Sequence, residues 1–164
     1  MSFPNKISPS TKELMSKSRL IALDLGCDYI TTVHFLLADC ELDSPASLRS
    51  TFPTPQDYNA FYARQRKGEK ITLGILDNES LPLTIEAENA LRQGLKEMRR
   101  YRAKQIEPHH VLLGAAHNKD SLLRKVYEGK NEDLYPALQK IYTSKGILPS
   151  QPKRKWWLLI LRKP

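Results

Sequence analysis

The feature that most restricts what this chain can fold into is an internal echo. The segment "TTVHFLLADC" (Thr31 to Cys40) returns 76 residues later as "EPHHVLLGAA" (Glu107 to Ala116). His34 falls on His110, Leu36 on Leu112, Leu37 on Leu113, and Ile30 just upstream falls on Ile106. The preceding segments repeat as well. Thr11, Leu14, Met15, Ser18, Ala22 and Leu25 fall at helical intervals, and so do Ala87, Ala90, Leu91, Gly94, Met98 and Tyr101 at the shifted positions. Each set lies on one helical stripe. Ser18, Ala22, Ala87, Ala90 and Gly94 are small, so a second helix can approach these stripes closely.

The helix starts agree with the doubling. Ser8 precedes Pro9, and proline is tolerated at a first helical position because its missing N–H had no partner there. Thr84 holds the shifted position, and either hydroxyl can cap free backbone N–H groups. Ser10 with Glu13 is an alternative capping box for the first start. Thr31 or Thr32 can cap the helix running to about Cys40, and Pro108 can open its counterpart. A third pair is expected over 45–52 and 119–128, and a fourth over 55–67 and 131–145, where Asp57 matches Asp133. Each half reads as four helices. Two copies are too few for a solenoid, so the halves are expected to pack face to face in one domain over 1–145. The first repeat is expected over 8–68 and the second over 84–145. Between them Ile71, Leu73 and Ile75 alternate with Thr72, Gly74 and Leu76, and "DNES" is turn chemistry. That pattern predicts a β-hairpin or clip over 70–83.

With 40% apolar and 27% charged residues, the composition is that of a soluble globular protein. The longest apolar run, Trp156 to Leu161, is six residues, against the ~20 a spanning helix needs. "MSFPNKISPS" lacks the basic-then-apolar order of a secretory signal, so a cytoplasmic location is expected. Cys27 and Cys40 form no C-x-x-C pair and are expected to be reduced thiols. The net charge of +8 gathers at 64–70, 99–104 and 153–155. It is read first as solvated surface, because no nucleic-acid motif accompanies it. A small basic nucleic-acid-binding protein is the alternative function.

Order, duplication and interval together resemble the N-terminal domain of the Clp unfoldases, the double Clp repeat. The resemblance spans roughly 5–145. It is carried by "STKELMSKSRLIALDLGCDYITTVHFLLADC" and "LTIEAENALRQGLKEMRRYRAKQIEPHHVLLGAA". It implies an all-α fold of two pseudo-symmetric four-helix repeats and a non-enzymatic role. That role would be binding substrate polypeptides or adaptors for an ATP-dependent unfoldase or protease. On placement, Ser8, Val33, Thr84 and His109 are the candidate partner-binding positions. His34, His110, Leu36, Leu37, Leu112 and Leu113 are the residues expected to hold the repeats together.

Several chemistries lack their residues. No G-x-x-x-x-G-K-[ST] occurs, so no phosphate cradle of the P-loop kind is encoded; a stand-alone relative of the unfoldases is expected rather than a fragment. His34 and His110 are read as rings that satisfy backbone groups near helix starts. His109, His110 and His117 lack the spacing of a metal site, and no cofactor is expected. No arrangement of a hydrolase stands out. Some members of the resembled family bind phosphorylated arginine through an acidic residue just before the repeat histidine and a hydroxyl at the helix start. Ser8 and Thr84 supply the hydroxyls, but Val33 and His109 replace the acids. Without a carboxylate for the guanidinium, phosphoarginine recognition is expected to be lost or weakened.

The tail 146–164, ending in "KRKWWLLILRKP", has no counterpart in the first half. Its first reading is a strand pairing with the 71–76 segment. An interfacial anchor is the second reading, and a partner-docking peptide the third. Protein partners are expected. A nucleic-acid partner is not, and membrane contact is expected only if 153–164 provides it.

Overall fold

The computed structural model describes residues 6–72, 81–127 and 133–150, and side chains for all of these except 126 and 127. It is all-helical. The first half holds α1 (Pro9–Asp24), α2 (Thr32–Cys40), a 3-10 turn (Leu48–Thr51) and α3 (Pro55–Arg64). The second holds α4 (Ile85–Arg100), α5 (Pro108–His117), α6 (Leu122–Tyr127) and α7 (Leu134–Ser144).

The two long helices start alike. The Ser8 hydroxyl accepts from the Thr11 N–H at 3.1 Å, and the Thr84 hydroxyl accepts from the Ala87 N–H at 3.3 Å. They also end alike. Gly26 follows α1 with φ +74 and Arg102 follows α4 with φ +52. Next, the N–H of Cys27 donates to Ala22 and that of Ala103 to Met98, at 2.8 and 2.9 Å. This left-handed closure normally favours glycine. Gly26 has a second reason to be glycine, because an added Cβ would lie 2.6 Å from the Glu69 carbonyl oxygen.

The third element of the first half is one 3-10 turn, not the full helix expected over 45–52. Ser47 caps it, accepting from the Arg49 N–H. Pro53 stops it by forcing Phe52 into extended backbone, with φ −90 and ψ 118. No strand forms among the described residues. The hairpin expected over 70–83 has its centre, 73–80, outside them. Its described ends are tied to the first half instead: the Ile71 N–H donates to Leu23 at 2.9 Å, and the Thr84 N–H to Ile30 at 3.0 Å. The strand expected from 153–164 also falls outside the described residues.

The halves meet through reciprocal backbone pairs. Ile7 bridges Ile106, and Leu83 bridges Ile30, both parallel. Shifting either pair by 76 positions generates the other. The bonds follow suit. Ser8 N–H donates to Ile106 O at 3.1 Å as Thr84 N–H does to Ile30 O; Ile106 N–H donates to Lys6 O as Ile30 N–H does to Pro82 O. Such mutual contacts are those of a two-fold axis, here inside one chain. Behind the seam, one apolar core joins both halves, with Leu14, Phe35 and Leu37 from the first and Leu112, Leu113 and Tyr142 from the second fully buried.

Candidate functional site

The helix starts of the two halves are cross-linked by polar groups. The Ser8 hydroxyl donates to Glu107 Oε2 at 2.8 Å, and the Thr11 hydroxyl to Ile106 O at 2.7 Å. On the other side of the axis, Glu86 receives four bonds. Its Oε1 accepts from the Thr32 N–H and the Thr84 hydroxyl, at 2.9 and 3.1 Å. Its Oε2 accepts from the Thr32 hydroxyl and the Leu122 N–H, at 2.6 and 3.1 Å. Carboxylates therefore stand beside both helix-start hydroxyls, but they come from Glu86 and Glu107 and not from the positions before His34 and His110. Both are engaged by donors of the chain itself.

The histidines at these starts bond backbone. His34 Nδ1 accepts from the Thr31 N–H at 3.0 Å, and His110 Nδ1 from the Glu107 N–H at 2.9 Å. Both rings are buried. Of the four positions named as partner-binding, Ser8 and Val33 are buried, while Thr84 and His109 are half-buried. The His109 ring packs against His110, Tyr101 and Tyr142. No surface is left at Ser8 or Val33 for a partner. Among the described residues no group of three potential ligands could hold a metal ion, and no helix is long and apolar enough to cross a membrane.

Burial sets the charge state of these rings. It lowers His34 to about 4 and His109 to about 4, and burial with the adjacent His109 lowers His110 to about 3. An unfolded histidine takes up its proton near 6.5. Stability held by these neutral rings is complete above that value and is lost as pH falls toward about 4. Asp39 works in the opposite direction. Burial raises it to about 6, against the pull of the Leu48 N–H and Lys145, so its contribution is present below 3.8 and lost as pH rises through about 6. Three rings outweigh one carboxyl. The urea midpoint is expected to fall clearly between about pH 7.5 and about pH 5, and a flat profile across that window would overturn this account.

The open surface lies along the seam itself. A groove of about 400 Å³ is lined by Ile7, Thr11, Met15, Leu91 and Ile106, with Glu88 and Arg92 at its edge. A second, of about 430 Å³, is lined by Ile30, Leu81, Pro82, Leu83 and Met15, with Arg19 and Glu88. The bridge pairs Ile7–Ile106 and Ile30–Leu83 floor them respectively, so the axis relates one groove to the other. Met15 and Glu88 belong to both, and the two run into each other across the face of α1 and α4. A broader cleft of about 920 Å³ lies between α3 and α7, with Phe52, Phe61 and Ile141 on its walls. Lys145 braces it, its ammonium donating to Pro45 O, Ser47 O and the Ser50 hydroxyl at 3.0–3.1 Å.

The overall fold recurs in solved structures. The N-terminal domain of ClpD, a caseinolytic-protease-associated chaperone of Arabidopsis thaliana, superimposes with a TM-score of 0.65, covering 88% of this chain and 96% of that one at 17% identity. The chain has the fold of a Clp N-terminal domain. A structure from preliminary structural investigations of a malarial protein secretion system also superimposes, with a TM-score of 0.60, coverage of 85% of this chain and 97% of that one, and 17% identity. No family model matches the sequence, and no curated protein matches it. The Clp N-domain resemblance drawn from the doubled segments thus agrees with the three-dimensional comparison. What the doubling did not single out were Glu86, Glu107 and half of the groove floor, Ile7 and Leu83. Ile7 and Leu83 do sit at the 76-residue interval, but each precedes its helix and so lies off the helical stripe.

Proposed function

We propose that the chain is a non-catalytic interaction domain that holds extended, apolar polypeptide segments, from substrates or adaptors of an unfoldase, in the seam grooves. The observation that carries this reading is the pair of apolar grooves related by the axis. Met15 and Leu91, half-buried members of the two matching stripes, line the groove with no further helix over them among the described residues. Grooves lined by aliphatic side chains, with a few charges at the rim, suit short hydrophobic segments. The fold shared with the N-terminal domain of a chaperone supports the same reading. No arrangement of nucleophile and base accompanies the grooves among the described residues.

Binding of a fluorescein-labelled, permanently unfolded polypeptide tests it. Leu91→Glu places a charge in the groove and is expected to weaken binding by about tenfold or more, the effect of losing an apolar anchor, with helix content and melting temperature kept. Equal binding by the variant, or none by the parent chain, would sink the proposal.

A further inference from the structure

The two long helices end on opposite charges. Shifting Asp24 and Asp28 by 76 positions gives Arg100 and Lys104, and shifting Gly26 gives Arg102. At the end of α1 the acid is matched within the chain. Asp24 Oδ2 pairs with Arg66 at 3.3 Å and its Oδ1 with Lys70 at 3.6 Å, both from the segment that closes the first half. At the end of α4 the closing segment is 142–150, where the N–H and the hydroxyl of Ser150 donate to the carbonyl of Arg100 at 3.2 and 2.6 Å. Tyr142 and Gly146 stand at the positions equivalent to Arg66 and Lys70, and 142–150 holds no acid. Lys96, Arg99, Arg100, Arg102 and Lys104 are all exposed at this end. None of them forms an ion pair among the described residues. Glu97, the acid between them, is buried, and its Oε1 accepts from the Tyr135 hydroxyl at 3.0 Å.

We propose that the exposed cations at the end of α4 dock an acidic polypeptide segment. The first half displays the same geometry in completed form, with one charge on the helix end and the opposite charge on the polypeptide laid across it. The second half inverts the sign and brings no acid of its own to the cations. The helix dipole accounts for Arg99 and Arg100, which lie in the last turn. It does not account for Arg102 and Lys104 beyond the helix. Arg102 has φ +52, left-handed backbone that favours glycine, and Gly26 is the glycine at the equivalent position. Arginine there brings a cation at a conformational cost. Guanidinium groups bind carboxylates through paired N–H donors. Nucleic acid would be drawn by the same charges. However, Leu148, 62% exposed, stands two residues before Ser150. An acidic polypeptide carrying an apolar side chain covers both, whereas a phosphate backbone covers only the cations. Leu91 and Arg99 are separated by about 12 Å along α4, so this surface is distinct from the seam grooves and does not depend on what they bind.

Fluorescence anisotropy on the full chain tests this with three labelled probes. They are a peptide of about 12 residues repeating Asp-Glu-Leu, one of the same length repeating Asn-Gln-Leu, and a single-stranded oligonucleotide of about the same charge as the first. The acidic peptide is expected to bind about tenfold tighter than the neutral one at about 50 mM salt, and to lose most of that advantage at about 500 mM. Arg99→Gln with Lys104→Gln should weaken its binding by about tenfold. Arg102→Gly should weaken it severalfold while the melting temperature holds or rises, because glycine suits that backbone. Arg64→Gln with Lys67→Gln removes the same net charge from exposed positions of the first half. That variant should bind within about twofold of the parent chain. Four results would overturn the proposal: no binding of the acidic peptide, equal affinity for the neutral one, an equal loss in the first-half variant, or an oligonucleotide bound as tightly and weakened by the same substitutions.

Discussion

Replacing Gly114 by alanine is expected to destabilise the protein by about 2 kcal/mol, the balance of forcing a side chain into a packed contact, about 3 kcal/mol, and alanine's better helix propensity. The reason is the approach of α4 to α5. A Cβ at Gly114 would sit 2.3 Å from the Ala90 carbonyl oxygen and 2.6 Å from the Gly94 nitrogen, both backbone atoms of the facing helix. Neither can rotate away, so the helices must separate. Alanine's helix propensity returns about 1 kcal/mol, which does not offset that. In a chain of this size the melting temperature should drop by about 4–8 °C. Gly94→Ala is the control: its nearest neighbour would be His110 O at 3.2 Å, so contact and propensity nearly cancel. An unchanged melting temperature in Gly114→Ala would show that the α4–α5 contact is looser than described.

The second large effect is expected at Glu86. Its carboxylate receives the Thr32 N–H and hydroxyl, the Thr84 hydroxyl and the Leu122 N–H. These donors belong to the starts of α2, α4 and α6, so one side chain ties the first half to two helices of the second. Bonds to a charged acceptor contribute about 1.5–3 kcal/mol each, and stranded donors add to the loss. Partial exposure lets water replace some of them, so Glu86→Ala should cost about 3 kcal/mol in total. The sharper test is a double-mutant cycle with Thr32→Val, in which the two losses should fall well short of adding. Additive losses, or a cost below about 1 kcal/mol, would mean the network does not hold the halves together.

Much of the helical layout was legible because helix formation here is local. Ser8 before Pro9, Thr84 at the matching position, and stripes of alternating threes and fours each act within a few residues. The 76-residue interval then carried an inference from one half to the other. The misreadings share a cause in long-range or steric context. The 45–52 segment was judged by its partner 119–128, yet Pro53 allows only a single 3-10 turn. Gly94 stood out in a stripe of small residues, while Gly114, the tighter contact, was hidden in a run of apolar neighbours where spacing carries no information. By its place in the sequence Glu86 is one of two acids in the first turn of α4, with nothing to set it apart from Glu88. Its four donors come together only once α2 and α6 are in place. Val33 and His109 were singled out by their place before a repeat histidine, whereas the open surface lies along α1 and α4.

The reciprocal bridges across the seam carry one more consequence. A face generated by a two-fold axis has no head and no tail. If the grooves hold polypeptide as proposed, a strand laid across Met15 meets aliphatic side chains at either end, Ile7 and Ile106 at one and Ile30 and Leu83 at the other. Such a cradle would read how greasy a passing segment is and would be nearly indifferent to which way its amide bonds run.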